Sequence, residues 1–228
     1  MAAATTQLLE RLDPRARQAL SAVTAVGLDV DGVLTDGTFF WGPNGEEWKR
    51  FSFADVMGIS LAKKQGIAFA LISGEATPLI DRFAEKMGIV DVFKGCKDKA
   101  AALREWMTRR GLQGEQVCFM GDDVNDISAM KVAGFAVAPA NANEAVIKVV
   151  DVVTLRRGGD GAARELLDAL LAVRQTPEHT NYSLSPTIKR EGVGEGRSGE
   201  LRNFPAGPSP QPPPPSTDAR EQASEQQE

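Results

Sequence analysis

The sequence predicts an α/β fold in which helices flank a doubly wound parallel sheet. Three observations carry this: apolar runs that end in polar residues, helical spacing between those runs, and a length that suits one catalytic core but not two. From Ala25 the run Ala-Val-Gly-Leu is unbroken until Asp29, as expected of a strand buried on both faces. Runs at 67–72, 117–120, 135–138 and 149–154 repeat the signature. Between them, helical periodicity spans 59–64, 77–87, 99–110, 126–132 and 144–148, and a further apolar-periodic helix covers 162–173. In such sheets ligands bind beyond the carboxyl ends of the strands, so the polar residues that terminate the apolar runs are the first candidates for chemistry.

Ahead of the first strand, residues 7–23 carry a helical pattern that Pro14 is expected to interrupt, and it reads as packing. Behind the last helix the composition shifts to Pro, Ser, Gln, Glu and Gly, with a tetraproline at 212–215. Large apolar residues are too few there to offset ordering entropy, so a mainly disordered tail is expected. The domain reading is therefore a helical extension at 1–22, a catalytic domain at 23–174 and a tail at 175–228. His179, the single histidine, falls in the tail and reads as solvated, not as a base.

The 228 residues carry a formal charge of −5, which argues against a general nucleic-acid binder and requires any phosphate to be held locally. The two cysteines, Cys96 and Cys118, fit a reducing compartment, Cys118 as a free buried thiol. The N-terminus lacks a signal peptide's basic start and apolar stretch, and no run is long enough to cross a bilayer. A cytoplasmic protein without membrane partners is expected.

The strongest motif is Asp29-Val-Asp31-Gly-Val-Leu-Thr-Asp-Gly37, directly after a buried strand. Two carboxylates at this spacing repel each other unless one is protonated or a cation lies between them, and a hard divalent cation satisfies both charge and geometry. A cap or acidic turn needs one such residue, not a pair. Gly121-Asp122-Asp123-Val-Asn-Asp126 supplies a second acidic cluster after another apolar run. Magnesium takes only one or two carboxylates, so not all these acids can be direct ligands, and a helix-loop-helix calcium loop would need a terminal glutamate that is absent. Ser73, before Gly74, adds a hydroxyl at the same sheet edge, and Lys99 adds a cation. Either alone is unremarkable.

Taken in order, Asp-x-Asp-Gly-x-Leu-Thr, a strand-ending Ser before Gly, a Lys, and Gly-Asp-Asp-x-x-Asp resemble the haloacid dehalogenase superfamily. The resemblance implies a Rossmann-like fold in which Asp29 is the aspartyl-phosphate nucleophile. Asp31 is the general acid and base, and Ser73 and Lys99 hold the phosphoryl oxygens. It also implies Mg2+ held by Asp29, the Asp31 carbonyl and Asp122, with Asp123 or Asp126 orienting Lys99 and the metal waters. An aspartate at position 31 argues against a family ATPase, which typically carries threonine there.

Only about forty residues separate Asp31 from Ser73, too few for a cap domain. Within them, 38–41 and 46–53 flank Gly42-Pro-Asn-Gly45 and predict a projecting β-hairpin. Its aromatic residues Phe39, Phe40, Trp41 and Trp48 need cover, either in a subunit interface, which is preferred, or against their own domain.

The hairpin, Asp55-Val-Met-Gly-Ile59, Lys94-Gly-Cys-Lys-Asp-Lys99 and Arg157-Gly-Gly-Asp-Gly-Ala-Ala-Arg164-Glu resemble the capless 3-deoxy-manno-octulosonate 8-phosphate phosphatases. That subfamily implies a phosphorylated sugar acid as substrate and a homotetramer whose hairpins and C-terminal segments close neighbouring sites. It usually reads Thr-Gly-Arg where this chain has Ser73-Gly74-Glu75. Glu75, followed by Lys86, is similar to relatives acting on nine-carbon N-acylneuraminate or deaminoneuraminate 9-phosphates. A helix-terminal acid and a solvated lysine would explain the same residues. Two other functions are weighed. One is a non-catalytic assembly module like the domain fused to acylneuraminate cytidylyltransferases. The other is a receiver-like phosphoacceptor, against which Asp31 argues by supplying a base for hydrolysis.

Overall fold

A computed structural model describes residues 2–175. Six parallel strands form the sheet in the order β5-β4-β1-β6-β7-β8, the strand order of a doubly wound fold. They are β1 (Ala25–Leu28), β4 (Ala68–Ile72), β5 (Asp91–Phe93), β6 (Val117–Met120), β7 (Phe135–Ala138) and β8 (Val152–Val153). A separate antiparallel pair, β2 (Phe40–Trp41) and β3 (Glu47–Trp48), makes the hairpin. The chain leaves β1 for β4 on one side and later returns to β6 on the other. The switch point therefore lies at the carboxyl end of β1, between its two neighbours.

Period-two alternation distributes the strand residues to two cores. Val26 and Leu28 of β1, with Cys118 and Met120 of β6, enter one core together with Leu8 of α1 (Ala2–Arg11), Leu20 of α2 (Pro14–Ala22) and Leu12 between them. Ile59 of α3 (Phe53–Lys64), Phe83 of α4 (Pro78–Met87) and Leu166 and Leu170 of α8 (Ala162–Gln175) complete that layer. On the other face Ala25, Val117 and Phe119 pack with Leu103 and Trp106 of α5 (Lys99–Arg110), Met130 of α6 (Ile127–Met130) and Val146 of α7 (Glu144–Ile147). The leading helices are thus core elements, with Pro14 opening α2 behind the Asp13 cap.

Several predicted boundaries shift for local reasons. The helix expected at 59–64 begins at Phe53, so the second hairpin arm stops at Trp48 and does not reach 53. The strand expected at 149–154 is limited to Val152–Val153, because Asp151 turns back to accept the Ala136 amide. Strand β5 was not predicted: its acidic start and three-residue length give no apolar run. The helix expected at 126–132 is split into a short 3-10 turn, Val124–Asp126, and α6. Apart from Gln175, which closes α8, the expected tail and His179 lie outside the described residues. Among the described residues no helix is long and apolar enough to cross a membrane. Cys118 is free and fully buried, and burial holds its thiol protonated.

The glycine-rich loop before α8 packs directly on the loop after β1. A Cβ on Gly158 would lie 1.7 Å from the Gly32 carbonyl oxygen, so only glycine permits this approach. Asn141 joins the same two loops, donating to the Gly32 carbonyl at 3.4 Å and accepting the Gly158 amide at 2.7 Å. Buried Asp55 of α3 accepts the amides of Gly161 and Arg164 at 3.2 and 2.8 Å, which supplies the missing partners at the start of α8. The Gly158→Ala substitution should therefore lower unfolding stability by about 3 kcal/mol, measured by urea titration. Gly45→Ala should cost only about 1 kcal/mol, because its strain is limited to a left-handed backbone with open space around it. Equal effects would show that the loop contact does not bear on stability.

Candidate functional site

A pocket of about 240 Å³ opens at the carboxyl ends of β1, β4 and β6. Asp29, Asp31, Ser73, Lys99, Asp122 and Glu75 line it, so residues spread over nearly one hundred positions meet at one sheet edge. Gly74 and Asp123 also line it. Gly37 and Asn125 were not foreseen; nothing in a glycine or asparagine within an already acidic motif separates a lining residue from a turn residue.

Each side chain is placed by its own backbone. Asp29 follows β1 and donates its amide to the Met120 carbonyl at 2.9 Å, which extends the parallel ladder by one residue. Ser73 does the same beyond β4, donating to Phe93 O at 2.9 Å, while its Oγ accepts the Glu75 amide at 3.1 Å. Thr35 Oγ1 accepts the amides of Gly32 and Gly37 at 3.3 and 3.2 Å and curls the loop after Asp31. Gly32 has φ +86°, and a Cβ there would sit 2.0 Å from Asp122 Oδ2. Glycine thereby lets the two acidic loops close on each other.

Lys99 is the centre of the charge arrangement. It is the first residue of α5, behind the Asp98 cap, where the helix dipole disfavours a cation. Its Nζ nevertheless lies buried, 2.9 Å from Asp29 Oδ1 and 2.6 Å from Asp126 Oδ1. Burial alone would discharge the amine, but the charges of Asp29 and Asp126 outweigh it and hold the lysine above its ordinary pKa. The second oxygen of Asp126 accepts the amides of Asp122 and Asp123 at 3.0 and 3.2 Å. Asp126 is therefore fully committed to holding Lys99 and the acidic loop.

Asp29, Asp122 and Asp126 each place a carboxylate oxygen within 4.8 Å of the others. Since both oxygens of Asp126 are engaged, Asp29 and Asp122 are the pair with capacity for a cation. Burial and then the nearby Asp126 charge push Asp29 well up, against the pull of Lys99. Burial, followed by Asp126, pushes Asp122 up to about 7. Crowded, buried oxygens of this kind suit a hard divalent ion, which removes the repulsion.

The remaining expected residues separate. Glu75 lies two residues before Thr77, the cap of α4, so it is not in the first turn of that helix, where Asp81 sits instead. It faces the pocket. Lys86 does not: it is exposed in the last turn of α4, at the far end of a helix of 10 residues, and is not among the lining residues. A contact of Lys86 with a ligand in this pocket is not supported within the chain. Lys49 was also unforeseen. From the hairpin it reaches Asp31 Oδ1 at 2.8 Å with its side chain buried. The hairpin's apolar surface stays outside: Trp41 is 72% exposed and Phe40 65%.

The haloacid dehalogenase-like hydrolase family matches residues 67–166. The chain is 39% identical over 144 residues to the 3-deoxy-D-manno-octulosonate 8-phosphate phosphatase of Salmonella typhi, covering 63% of this chain and 77% of that one. The crystal structure of the same enzyme from Yersinia pestis superposes with a TM-score of 0.70 at 33% identity, over 72% of this chain and 89% of that chain. The Moraxella catarrhalis enzyme, in complex with magnesium, phosphate and 3-deoxy-D-manno-octulosonate, gives a TM-score of 0.69 at 32% identity, over 70% and 92%.

Titration of the acidic pair predicts the metal dependence of stability. Asp122 takes up a proton at about 7 in the fold against 3.8 ordinarily, so the folded state binds the extra proton between those values. The metal-free protein should therefore lose thermal stability as pH rises through about 7, and excess Mg2+ should remove that slope. Differential scanning fluorimetry with and without chelator checks this; a pH-independent difference between the two would contradict it.

Proposed function

The chain belongs to the haloacid dehalogenase-like hydrolases and is a phosphatase, and from that premise we propose that it hydrolyses the terminal phosphate monoester of a 3-deoxy-2-ulosonate. The observation that carries the chemistry is the convergence of Asp29, Ser73 and Asp122 on a buried, charged Lys99, whose Nζ is 2.9 Å from the Asp29 carboxylate. Such a site can hold negative phosphoryl oxygens around one nucleophile.

In the proposed reaction an Asp29 oxygen attacks phosphorus and the bond from phosphorus to the sugar oxygen breaks. Asp31 gives its proton to the departing alkoxide. Water then attacks the aspartyl phosphate, the bond from phosphorus to Asp29 breaks, and Asp31 recovers a proton from that water. Ser73 and Lys99 hold the phosphoryl oxygens through both displacements. Asp29, Asp122 and the Asp31 carbonyl would hold Mg2+, which supplies further neutralisation of phosphoryl charge. Asp126 and Asp123 keep Lys99 and the acidic loop in place.

The magnesium and octulosonate bound to the Moraxella enzyme support an eight-carbon substrate. Glu75 in the pocket supports a nine-carbon neuraminate-type alternative, since an anion there can accept hydrogen bonds from sugar hydroxyls or pair with an amine. Phosphate release from 3-deoxy-D-manno-octulosonate 8-phosphate, N-acetylneuraminate 9-phosphate and deaminoneuraminate 9-phosphate should show one clear preference and require Mg2+. Comparable low rates on every sugar phosphate would contradict the ulosonate reading. Asp29→Asn should lower kcat by a factor on the order of 10³ or more.

A homotetramer is proposed from the hairpin. Phe40 pairs with Trp48 across β2 and β3, and exposed Phe53, Met57 and Leu61 continue an apolar stripe along α3. Surfaces of this kind are buried in assemblies. Replacing Trp41 and Trp48 by Glu should shift the sedimentation coefficient to that of smaller species; an unchanged coefficient would place the interface elsewhere.

A further inference from the structure

The hairpin contributes a charged residue to the site as well as an apolar surface. Alternation along β3 and the residue after it sends Glu47 and Lys49 to one face and Trp48 to the other. Lys49 is buried although it lies on an exposed hairpin, with 4% of its side chain accessible. Its Nζ is 2.8 Å from Asp31 Oδ1 and 3.5 Å from Glu47 Oε1. Asp31 Oδ2, by contrast, is buried and has no hydrogen-bond partner among the described residues. The Asp31 side chain is itself 29% accessible and lines the pocket, and a carboxylate with one oxygen tied to a buried ammonium is held in a single orientation.

We propose that Lys49 is a positioning residue that ties Asp31 through Oδ1 and so holds its carboxyl group at the pocket in the orientation from which it hands the proton to the departing alkoxide. The inference rests on the reading of Asp31 as general acid and base. Lys49 touches neither the phosphoryl group nor the nucleophile in this account; it acts only through Asp31. Orientation is the quantity at stake, since displacement of a catalytic group by about 1 Å costs on the order of 10² in rate. Because Lys49 directly follows Trp48, the hairpin arm that presents the apolar face also sets the proton donor.

The leaving group separates positioning of the acid from general damage to the hairpin. A sugar alkoxide must be protonated as it departs, whereas 4-nitrophenolate is a stable anion and departs without a proton. In rapid-quench single turnovers of the full chain with Mg2+, Lys49→Met should slow alcohol release by about tenfold or more on the preferred ulosonate phosphate. On 4-nitrophenyl phosphate the loss should stay within about threefold, with KM for both little changed. Lys49→Arg, which keeps the cation, should recover part of the loss and guards against a methionine variant that folds poorly. Equal losses on both phosphates, or no loss on either, would overturn the role of Lys49. Asp31→Asn is the control: if it spares the ulosonate phosphate, the reading of Asp31 itself has failed, and this is distinguishable from a dead Asp31→Asn beside an indifferent Lys49→Met.

Discussion

A buried cation on a sheet edge must be compensated, and most of the local architecture follows from how Lys99 is. Its Nζ bridges Asp29, at the end of β1, and Asp126, in the 3-10 turn that follows β6. Withdrawing one partner of such a group leaves an uncompensated charge in a poor dielectric, at a cost of about 3–5 kcal/mol. The arrangement is therefore self-enforcing. Asp126 cannot swing toward a metal without releasing both Lys99 and the amides of Asp122 and Asp123. Three acids within reach of one another thus divide into two with metal capacity and one that is structural.

The same constraint explains the backbone around the site. To bring Asp122 beside the loop after β1, the chain must pass within contact of Gly32, where no side chain fits. That loop is then held from behind by Asn141 and the Gly158 amide, and the Gly158 loop is held in turn by Asp55 at the start of α8. Segments more than one hundred positions apart become one support for Asp29. A carboxylate held by rigid surroundings needs less reorganisation when it meets a ligand.

The parallel core was legible in the sequence because strands buried on both faces carry continuous apolar runs, and β1, β6 and β7 show them without ambiguity. So was the grouping of Asp29, Asp31, Ser73, Lys99 and Asp122, since each ends such a run or opens the helix that follows. Lys99 carried a further signal: a lysine at the start of a helix opposes the dipole, and such local violations mark functional positions. What escaped was tertiary in origin. Strand β5 is too short and polar to read. Lys49 resembles any hairpin surface residue until the fold carries the hairpin over Asp31, although its alternation with Trp48 was a usable hint. Lys86 came only from the resemblance to nine-carbon ulosonate phosphatases; it sits in the last turn of α4 and is not among the residues that line the pocket within this chain.

The size of the pocket limits what these residues can decide. At about 240 Å³ it falls below the range of roughly 300–1,000 Å³ usual for whole small-molecule ligands, and its lining is dominated by acids, Lys99 and Ser73. It accommodates the phosphoryl end of a substrate and little of the carbon skeleton. Among the lining residues Glu75 carries a charged side chain that is not tied to Lys99 or to the acidic loop. Whatever bears the phosphate therefore extends beyond the strand ends, outside the lining of the pocket. Chemistry and selectivity are thereby carried by different layers: the strand ends fix phosphoryl transfer, and the surface above them selects what is transferred from.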